Sequence, residues 1–407
     1  LPFGCLEGEG EGIDWGEGGG NNMIHDASWK LPDPFLKEDG NRISSKEEWG
    51  AQRIRFLDML EKMFYGKMPP RPEHLEGERL LTKRIWDGKV LCEKVRLKTG
   101  PNEEIGYHVH VTRPNRKGKT IPIVIPAGTN LEDEILKMAV YRNFSIMSFE
   151  IGEAAPDDPQ GYREGSCARA YPEYSWRALA MWAWLQSRVI DWLETQDFAD
   201  MGKVVVTGHS RMGKAALCCG IFDDRAAVVA PAGSGCGGMA SLRLNGGRLG
   251  EGIGRGERIG VMLSEKNFSY WLMDGMREYG TEDGMEAFRE NEIPFDANIL
   301  GACVAPRGLV LVEGLDDTWI NTYGTQTAWL ATSEVYQFFD VPEKCAIHYR
   351  EGGHAYNRED WDVVLDFCKV ILEKCPKRTN YKTMSMDEIK SGYSWRNPRQ
   401  EPVQGNC

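Results

Sequence analysis

The sequence predicts an α/β fold, in which a mostly parallel central sheet carries helices on both faces. Short, continuous apolar runs alternate along the chain with longer segments of helical periodicity. Strands buried on both faces show such runs, whereas a strand with one solvent face alternates apolar and polar residues. The composition, 41% hydrophobic and 27% charged, is ordinary for a soluble globular protein. We therefore expect βαβ units that build a three-layer sandwich.

The chain opens with two segments of different character. Residues 1–25 are rich in glycine and glutamate, a composition that cannot pack a core, so we expect a flexible leader. Ser45 and Glu48 have the spacing of a capping box, and apolar residues follow at helical spacing over 49–63. A single catalytic domain is expected over 26–400, with a tail at 401–407.

The remaining elements follow from the alternation of apolar runs and helical periodicity. The predicted strands span 90–97, 107–111, 121–125, 146–149, 203–207, 226–230, 309–312 and 344–349. The predicted helices of this part span 174–196, 211–221 and 360–373. Because strands and helices alternate, we expect crossover connections and a parallel sheet.

Charge and composition exclude several functions. The chain has 49 Lys and Arg against 61 Asp and Glu, a net charge of −12, which argues against a nucleic-acid partner and an anionic membrane surface. No stretch approaches the ~20 apolar residues of a membrane helix. The 11 cysteines include no C-x-x-C pair, which argues against a zinc ribbon. The first residues lack the regions of a signal peptide, so we expect a cytoplasmic protein or a trimmed mature form.

Residues 203–217 have the layout of a nucleophile elbow. A buried strand ends at Gly208, Ser210 follows at the apex, and a helix rich in small residues begins at Arg211. Such a turn exposes the serine Oγ and directs the helix N-terminus at a developing oxyanion. The second glycine, Gly213, comes one residue later than in the usual G-x-S-x-G pattern. The alternative interpretation is a serine that only caps a helix.

A histidine and an acid follow in the order that α/β-hydrolases require, nucleophile, acid, histidine. His354 lies in a glycine loop between the last predicted strand and the last predicted helix, and we predict that it is the general base. The acid is expected after strand 309–312, where Asp317 is preferred and Asp316 is the fallback. The alternative is that both aspartates cap the next helix. His108 and His110 alternate on a strand and could pair on a metal, although we favour the interpretation that they are two solvent-facing strand residues.

The motif Gly208-His-Ser-Arg-Met-Gly-Lys214 resembles the nucleophile motif of bacterial-type glucuronoyl esterases, a family of carbohydrate esterases. Further similar stretches lie at 33–35, 175–184, 294–307 and 352–361, together with Trp49, and the resemblance covers residues 30–375. It implies the α/β-hydrolase fold, with Ser210 as nucleophile and His354 as base.

The resemblance also assigns residues around this pair. Arg211 would place its guanidinium on the oxyanion, and Lys214 would hold a hydroxyl of the uronate. Trp319 resembles a tryptophan that lines the sugar site, and Glu257 resembles a sugar-binding glutamate. One departure concerns the acid, because Gly233 stands where many members of the family have a glutamate. A working triad would therefore take its acid from the later loop, at Asp317.

The loop that contains Gly233 permits a second interpretation. Gly233-x-Gly235-x-x-Gly238 after a strand is a nominal dinucleotide fingerprint. The residues that follow do not make a long helix before further glycines, which disfavours a nucleotide site.

The resemblance implies a serine-type hydrolase of esters of (4-O-methyl-)glucuronic acid, as in the lignin–carbohydrate linkages of glucuronoxylan. It further implies a secreted enzyme, and we expect a monomer that needs no metal and no cofactor. Two alternatives remain at this point. One is an acetyl or feruloyl carbohydrate esterase with the same triad, and the other is a catalytically silent carbohydrate-binding relative.

Overall fold

The computed structural model describes residues 30–127, 131–243, 257–264, 267–280, 289–317, 319–379, 381 and 392–399. The predicted leader at 1–25 and the predicted tail at 401–407 lie outside this part of the chain. Within it, no helix is both long and apolar enough to cross a membrane.

The described residues form one nine-stranded sheet with the order β1-β2-β3-β5-β4-β6-β7-β8-β9. The strands are β1 (Leu75–Ile85), β2 (Val90–Thr99), β3 (Ile105–Pro114), β4 (Ile121–Ile125), β5 (Phe144–Phe149), β6 (Val204–His209), β7 (Ala226–Ala232), β8 (Gly308–Gly314) and β9 (Cys345–Arg350). The pairs β1–β2, β2–β3 and β3–β5 are antiparallel, and all pairs from β5–β4 to β8–β9 are parallel. Parallel neighbours require crossover connections, which the helices supply.

The longer helices are α1 (Lys46–Leu60), α2 (Asp133–Tyr141), α3 (Ala178–Leu193), α4 (Arg211–Phe222), α5 (Ala297–Ala302), α6 (Thr322–Phe338) and α7 (Arg358–Glu373). A π-helical turn, Glu61–Tyr65, continues α1, and short α-helical turns lie at Gly161–Glu164, Ser166–Ala170 and Ile259–Met262. The carboxylate of Glu48 accepts the N–H groups of Ser44 and Ser45 before α1, as the capping pattern predicts.

Two separate apolar cores lie on the two faces of the sheet. Along β6, Val204 and Val206 pack into the core that contains α3 and α4, whereas Val205 packs into the core that contains α2 and α7. Because successive side chains of a strand point to opposite faces, this division is the signature of a sheet between two helical layers. The protein has the three-layer α/β-hydrolase sandwich that the sequence predicts.

The predicted strands are confirmed, with bounds that move by a few residues. The long apolar helix begins at 178 rather than 174, after Arg177 in extended backbone. No pattern in the sequence predicts β1, α2 or α5, and α6 is expected only as the helix that Asp316 and Asp317 could cap, without bounds. The four parallel strands β6 to β9 end at one edge of the sheet, and the loops that follow them carry every residue of the candidate site except Glu257, Arg211 and Lys214.

Candidate active site

Ser210 lies at a strained turn between β6 and α4. Its backbone has φ of 56° and ψ of −125°, and its N–H group donates to the carbonyl of Ala232 at 2.9 Å. A Cβ at Gly208 would come within 2.2 Å of the Met212 carbonyl oxygen, and one at Gly213 within 2.8 Å of the Ala232 oxygen. Both glycines of the late motif are therefore required by close backbone contacts, and the turn has the strained geometry of a nucleophile elbow.

His354 and Asp317 meet above this edge of the sheet. Nδ1 of His354 lies 2.5 Å from Oδ2 of Asp317, a charge-assisted distance. The Asp317 side chain is only 3% exposed, whereas that of His354 is 36% exposed. His354 also lies over the elbow, because its ring centroid is 4.4 Å from that of His209, the neighbour of Ser210. The structure thus brings the predicted base, acid and nucleophile loops together.

Asp316, the fallback acid, bonds to the backbone of the histidine loop. Its carboxylate accepts the N–H group of Gly352 at 3.0 Å, and its own N–H group donates to the Gly352 carbonyl. A Cβ at Gly314 would come within 2.5 Å of the carbonyl oxygens of both Gly352 and Gly353. Asp316 therefore joins the acid loop to the histidine loop, and Asp317 is left to contact the imidazole.

A buried ion pair that the sequence analysis did not single out supports the histidine loop. Nε of Arg350 donates to Asp360 at 2.7 Å, and Nη2 of Arg350 donates to the carbonyls of Gly353 and Ala355 at 3.0 and 2.7 Å. These two residues flank His354. Because the arginine is 4% exposed and the aspartate 1%, the loop is held from below by interactions that water does not screen.

Lys214, Glu257 and Trp319 also come together. Nζ of Lys214 donates to Glu257 Oε2 at 2.7 Å and to the Ser234 carbonyl at 2.8 Å. The same carboxylate oxygen accepts the N–H group of Cys236, and the N–H group of Glu257 donates to the Trp319 carbonyl. Lys214 and Glu257 are buried, whereas Trp319 is 44% exposed. A buried polar pair and an exposed indole thus belong to hydrogen-bonded backbone segments, an arrangement that suits a sugar ring.

Arg211 is held by an ion pair and by two aromatic rings, contacts that no sequence motif indicated. Nη1 contacts Asp157 Oδ2 at 2.5 Å, and the guanidinium lies 4.9 and 5.1 Å from the ring centroids of Phe268 and Trp271. Asp157 also accepts from the Tyr270 hydroxyl and the Trp271 indole N–H. These contacts fix the orientation of the arginine beside Ser210, although none of them is local in sequence.

The glycine loop after β7 is not a dinucleotide site. Gly233, Gly235 and Gly237 all have positive φ, and a Cβ at Gly235 would come within 2.3 Å of Glu257 Oε2. The described residues 239–243 form no helix after the loop, so the phosphate-binding helix N-terminus of that fingerprint is missing there. The loop instead passes closely around the Lys214–Glu257 pair.

Among the described residues, no group of three or more His, Cys, Asp and Glu side chains is placed to hold a metal ion. The two strand histidines considered as a metal pair have other surroundings. His108 contacts Glu153 through Nδ1 at 2.9 Å, and burial and the charge of Lys94 lower the pKa of His110.

Glu313, at the end of β8, is a buried carboxyl in which neither oxygen has a hydrogen-bond partner in the described part of the chain. Burial raises its pKa well above the ordinary value, and the charges of Asp317 and Asp360 add to the effect. The folded protein therefore holds this proton while the unfolded chain releases it. The contribution of Glu313 to the free energy of unfolding is therefore fully present below its ordinary pKa of about 4.3. It is lost as pH rises from there toward the pKa that the group has in the folded protein.

We predict that Glu313→Gln, which imitates the protonated carboxyl, stabilises the protein at about pH 8.5 and changes little at about pH 5. A pKa difference of one corresponds to about 1.4 kcal/mol, so the expected gain is about 1 kcal/mol or more. Thermal unfolding of both proteins at the two pH values measures it. A variant less stable than wild type at the higher pH would contradict the assignment of a neutral Glu313.

An α/β-hydrolase sheet that presents a serine at a strained strand–helix turn, with an Asp–His pair from later loops, is the arrangement of a serine hydrolase. The family model described as glucuronyl esterase, fungi, matches residues 98–340, which is more than half of the chain. The chain therefore belongs to the glucuronoyl esterase family, and it is a carboxylic ester hydrolase.

Individual relatives agree with this membership. The chain is 28% identical to the 4-O-methyl-glucuronoyl methylesterase of Schizophyllum commune, over 83% of this chain and 79% of that protein. It is 25% identical to a glucuronoyl esterase from Caldicellulosiruptor kristjansonii, with a TM-score of 0.73 over 91% of this chain and 97% of that one.

A serine-to-alanine mutant of the Sporotrichum thermophile glucuronoyl esterase, in complex with methyl 4-O-methyl-β-D-glucopyranuronate, shares the fold. It is 21% identical, with a TM-score of 0.66 over 88% of this chain and 91% of that one.

Proposed function

We propose that this chain cleaves esters of (4-O-methyl-)glucuronic acid, as in the lignin–carbohydrate linkages of glucuronoxylan, with Ser210, His354 and Asp317 as its triad. The observation that carries the proposal is the position of Lys214, one helical turn after Ser210 on the same face of α4. Its ammonium group lies next to Glu257 at depth, so donors and acceptors for sugar hydroxyls lie beside the nucleophile.

The reaction follows from these positions. His354 takes the proton of Ser210 as Oγ attacks the ester carbonyl, and the Asp317 carboxylate stabilises the imidazolium that forms. The oxyanion is met by backbone N–H groups and by Arg211; one such donor is worth about 2.7–4 kcal/mol in a studied hydrolase. His354 then gives its proton to the leaving alcohol, and water repeats the cycle on the acyl-enzyme.

Arg211 suits the oxyanion role because its own contacts leave it fixed. One face of the guanidinium packs on aromatic rings, and one Nη1 bond to Asp157 restrains its rotation. A preorganised cation costs little reorganisation when negative charge develops on the substrate.

The sugar would lie on the opposite side of Ser210 from the histidine loop. Two of the three donors of the Lys214 ammonium have partners in Glu257 and the Ser234 carbonyl, and the third suits a uronate hydroxyl. Trp319 would pack its exposed face on the ring. We also propose that the enzyme acts outside the cell as a single catalytic domain, since a lignin-linked xylan is an extracellular polymer.

Two rival functions make different predictions. An acetyl esterase acts on an acyl group without a hydroxyl, and a feruloyl esterase acts on one whose single hydroxyl lies at the far end of an aromatic ring from the ester carbonyl, so neither acyl group offers Lys214 a sugar hydroxyl. A silent carbohydrate-binding relative would not need an acid, whereas Asp317 is placed 2.5 Å from the imidazole. The comparison of a uronate ester with a simple acetate ester separates all three.

We predict that wild type hydrolyses benzyl glucuronate with a much higher kcat/KM than p-nitrophenyl acetate, and that Lys214→Ala removes this preference. KM for benzyl glucuronate should rise by about tenfold or more, since a lost hydrogen bond to a charged donor is worth about 1.5–3 kcal/mol. Hydrolysis of p-nitrophenyl acetate should change by less than about threefold, because that substrate has no sugar hydroxyl.

Folding needs its own control, because Lys214→Ala leaves the Glu257 carboxylate buried without its cation. The double variant Lys214→Met, Glu257→Gln removes both charges and should recover Tm without recovering KM. Equal losses on both substrates in the double variant would show that Lys214 is structural, and a wild type that prefers acetate would overturn the uronate assignment.

A further inference from the structure

His209 is a half-buried imidazole at the centre of the site, and the reaction provides no role for it. It ends β6, directly before Ser210, and its ring centroid is 4.4 Å from that of His354, with an angle of 38° between the planes. On the same loop, Tyr356 lies 6.2 Å from His209 in a stacked arrangement. His209 therefore packs against two residues of the histidine loop.

The partners of this ring are themselves fixed. The Tyr356 hydroxyl is 2.9 Å from Thr207 Oγ1 in β6, and its ring stacks on Trp361 in α7 at 4.8 Å. The histidine loop is thus tied to the strand that carries the nucleophile through aromatic contacts as well as through its own backbone. His209 is the member of this group that touches the catalytic imidazole.

Gly233 leaves the space that the His209 ring occupies. A Cβ at Gly233 would come within 3.2 Å of Nε2 and 3.3 Å of Cδ2 of His209, and within 3.7 Å of Cε1 of His354. Its φ of 48° also disfavours a side chain. Any larger residue at 233 would have to displace the ring pair.

The His209 ring is neutral above about pH 5, because its pKa lies below the ordinary value of a histidine. Burial, and next the charge of His354, lowers its pKa to about 4, although Asp317 acts in the opposite direction. Arg350 and Lys214 are the other charged groups that face it, and both lower the pKa further. Its Nε2 is buried and has no hydrogen-bond partner among the described residues.

We propose that His209 is a positioning residue for this reaction, whose neutral ring holds the imidazole of His354 in the orientation in which Nδ1 meets Asp317. The inference rests on the proposed triad. One hydrogen bond leaves a partly exposed imidazole free to tilt about it, and a ring packed on its face removes that freedom.

The first test is kinetic. In His209→Ala, we expect kcat for benzyl glucuronate to fall by about tenfold or more while KM changes by less than about threefold, since substrate contacts remain. In the Asp317→Asn background, His209→Ala should lower kcat by a much smaller factor. There the imidazole of His354 has already lost the charge-assisted hydrogen bond to Asp317. Additive losses in the two backgrounds, or a kcat within about twofold of wild type in His209→Ala, would overturn the proposal.

The second test needs no variant. With histidine labelled at Cε1, the His209 signal should stay that of a neutral ring between about pH 5.5 and pH 9. A His209 signal that titrates near the ordinary pKa of about 6.5 would contradict the neutral ring.

If His209→Ala does not fold, His209→Gln replaces it in the kinetic test, because glutamine keeps much of the side-chain volume without the ring.

Failure of this inference is distinguishable from failure of the proposed function. The same four proteins can be assayed with p-nitrophenyl acetate, whose hydrolysis requires the triad but no sugar contacts. If the uronate assignment is wrong, wild type fails on benzyl glucuronate while the His209 effect persists on acetate. If the His209 inference is wrong, wild type and His209→Ala cleave benzyl glucuronate with similar kcat.

Discussion

Replacing Ser210 with alanine is expected to lower kcat for benzyl glucuronate by about 10⁵–10⁶. Removal of the nucleophile in a well-studied triad costs about 2 × 10⁶ in kcat and leaves about 10³–10⁴ over water from binding and the oxyanion site. The substitution removes one oxygen at a half-buried turn and leaves the backbone contacts of Ser210 in place, so thermal unfolding should change little. Product release by purified variant and wild type, measured side by side, tests it.

The matching control measures how tightly the Ser210→Ala variant binds the uronate ester. Ser210→Ala keeps Lys214, Glu257 and Trp319, so the affinity for the uronate ester should survive while turnover is lost. Activity within about tenfold of wild type in this variant would contradict the serine-hydrolase mechanism, because the other hydroxyl of residues 203–217, that of Thr207, is buried and bonded to Ala230 and Tyr356.

Replacing Asp317 with asparagine is expected to lower kcat by at least about 10² and by up to about 10⁴, the loss seen for the equivalent change in a serine protease. The carboxylate oxygen lies 2.5 Å from Nδ1 of His354. An amide keeps the shape but removes the charge that stabilises the imidazolium, and its NH₂ group favours the wrong tautomer. Steady-state kinetics on benzyl glucuronate measures the loss.

Asp316→Asn is the matched control one residue away. The Asp316 carboxylate accepts the N–H group of Gly352, and an asparagine oxygen can accept the same bond, so we expect less than about a tenfold loss. A large loss at 316 with none at 317 would move the acid by one residue. Near-full activity in both single variants and in the double variant would refute an acid in this loop.

The sheet was predictable because its parallel strands are buried on both faces and read as continuous apolar runs. β1 gave no such signal, because nearly all of its residues are exposed along the antiparallel edge. α6 was hidden by its composition, since it buries Thr325, Gln326 and Thr327, polar residues that lack the apolar periodicity of an amphipathic helix. Local pattern therefore predicts the centre of the fold better than its edges.

In the site, the residues placed by chain order were predictable and those placed by tertiary packing were not. Ser210 and His354 follow strands in a recognisable order, so their loops meet at one edge of the sheet. The contacts of Arg211 with Asp157 and Trp271 join residues that are far apart in sequence, so no sequence motif could predict them. The choice of Asp317 over Asp316 likewise depends on which carboxylate the neighbouring loop leaves for the imidazole.

Covalent labelling by a serine-directed phosphonate, read by peptide mass spectrometry, tests the central claim most directly. We predict a single adduct on Ser210 in wild type, none in Ser210→Ala, and much slower labelling in Asp317→Asn than in Asp316→Asn, because only a serine activated by His354 and Asp317 attacks phosphorus quickly. An adduct on another residue, or an unlabelled protein that still cleaves benzyl glucuronate, would contradict it.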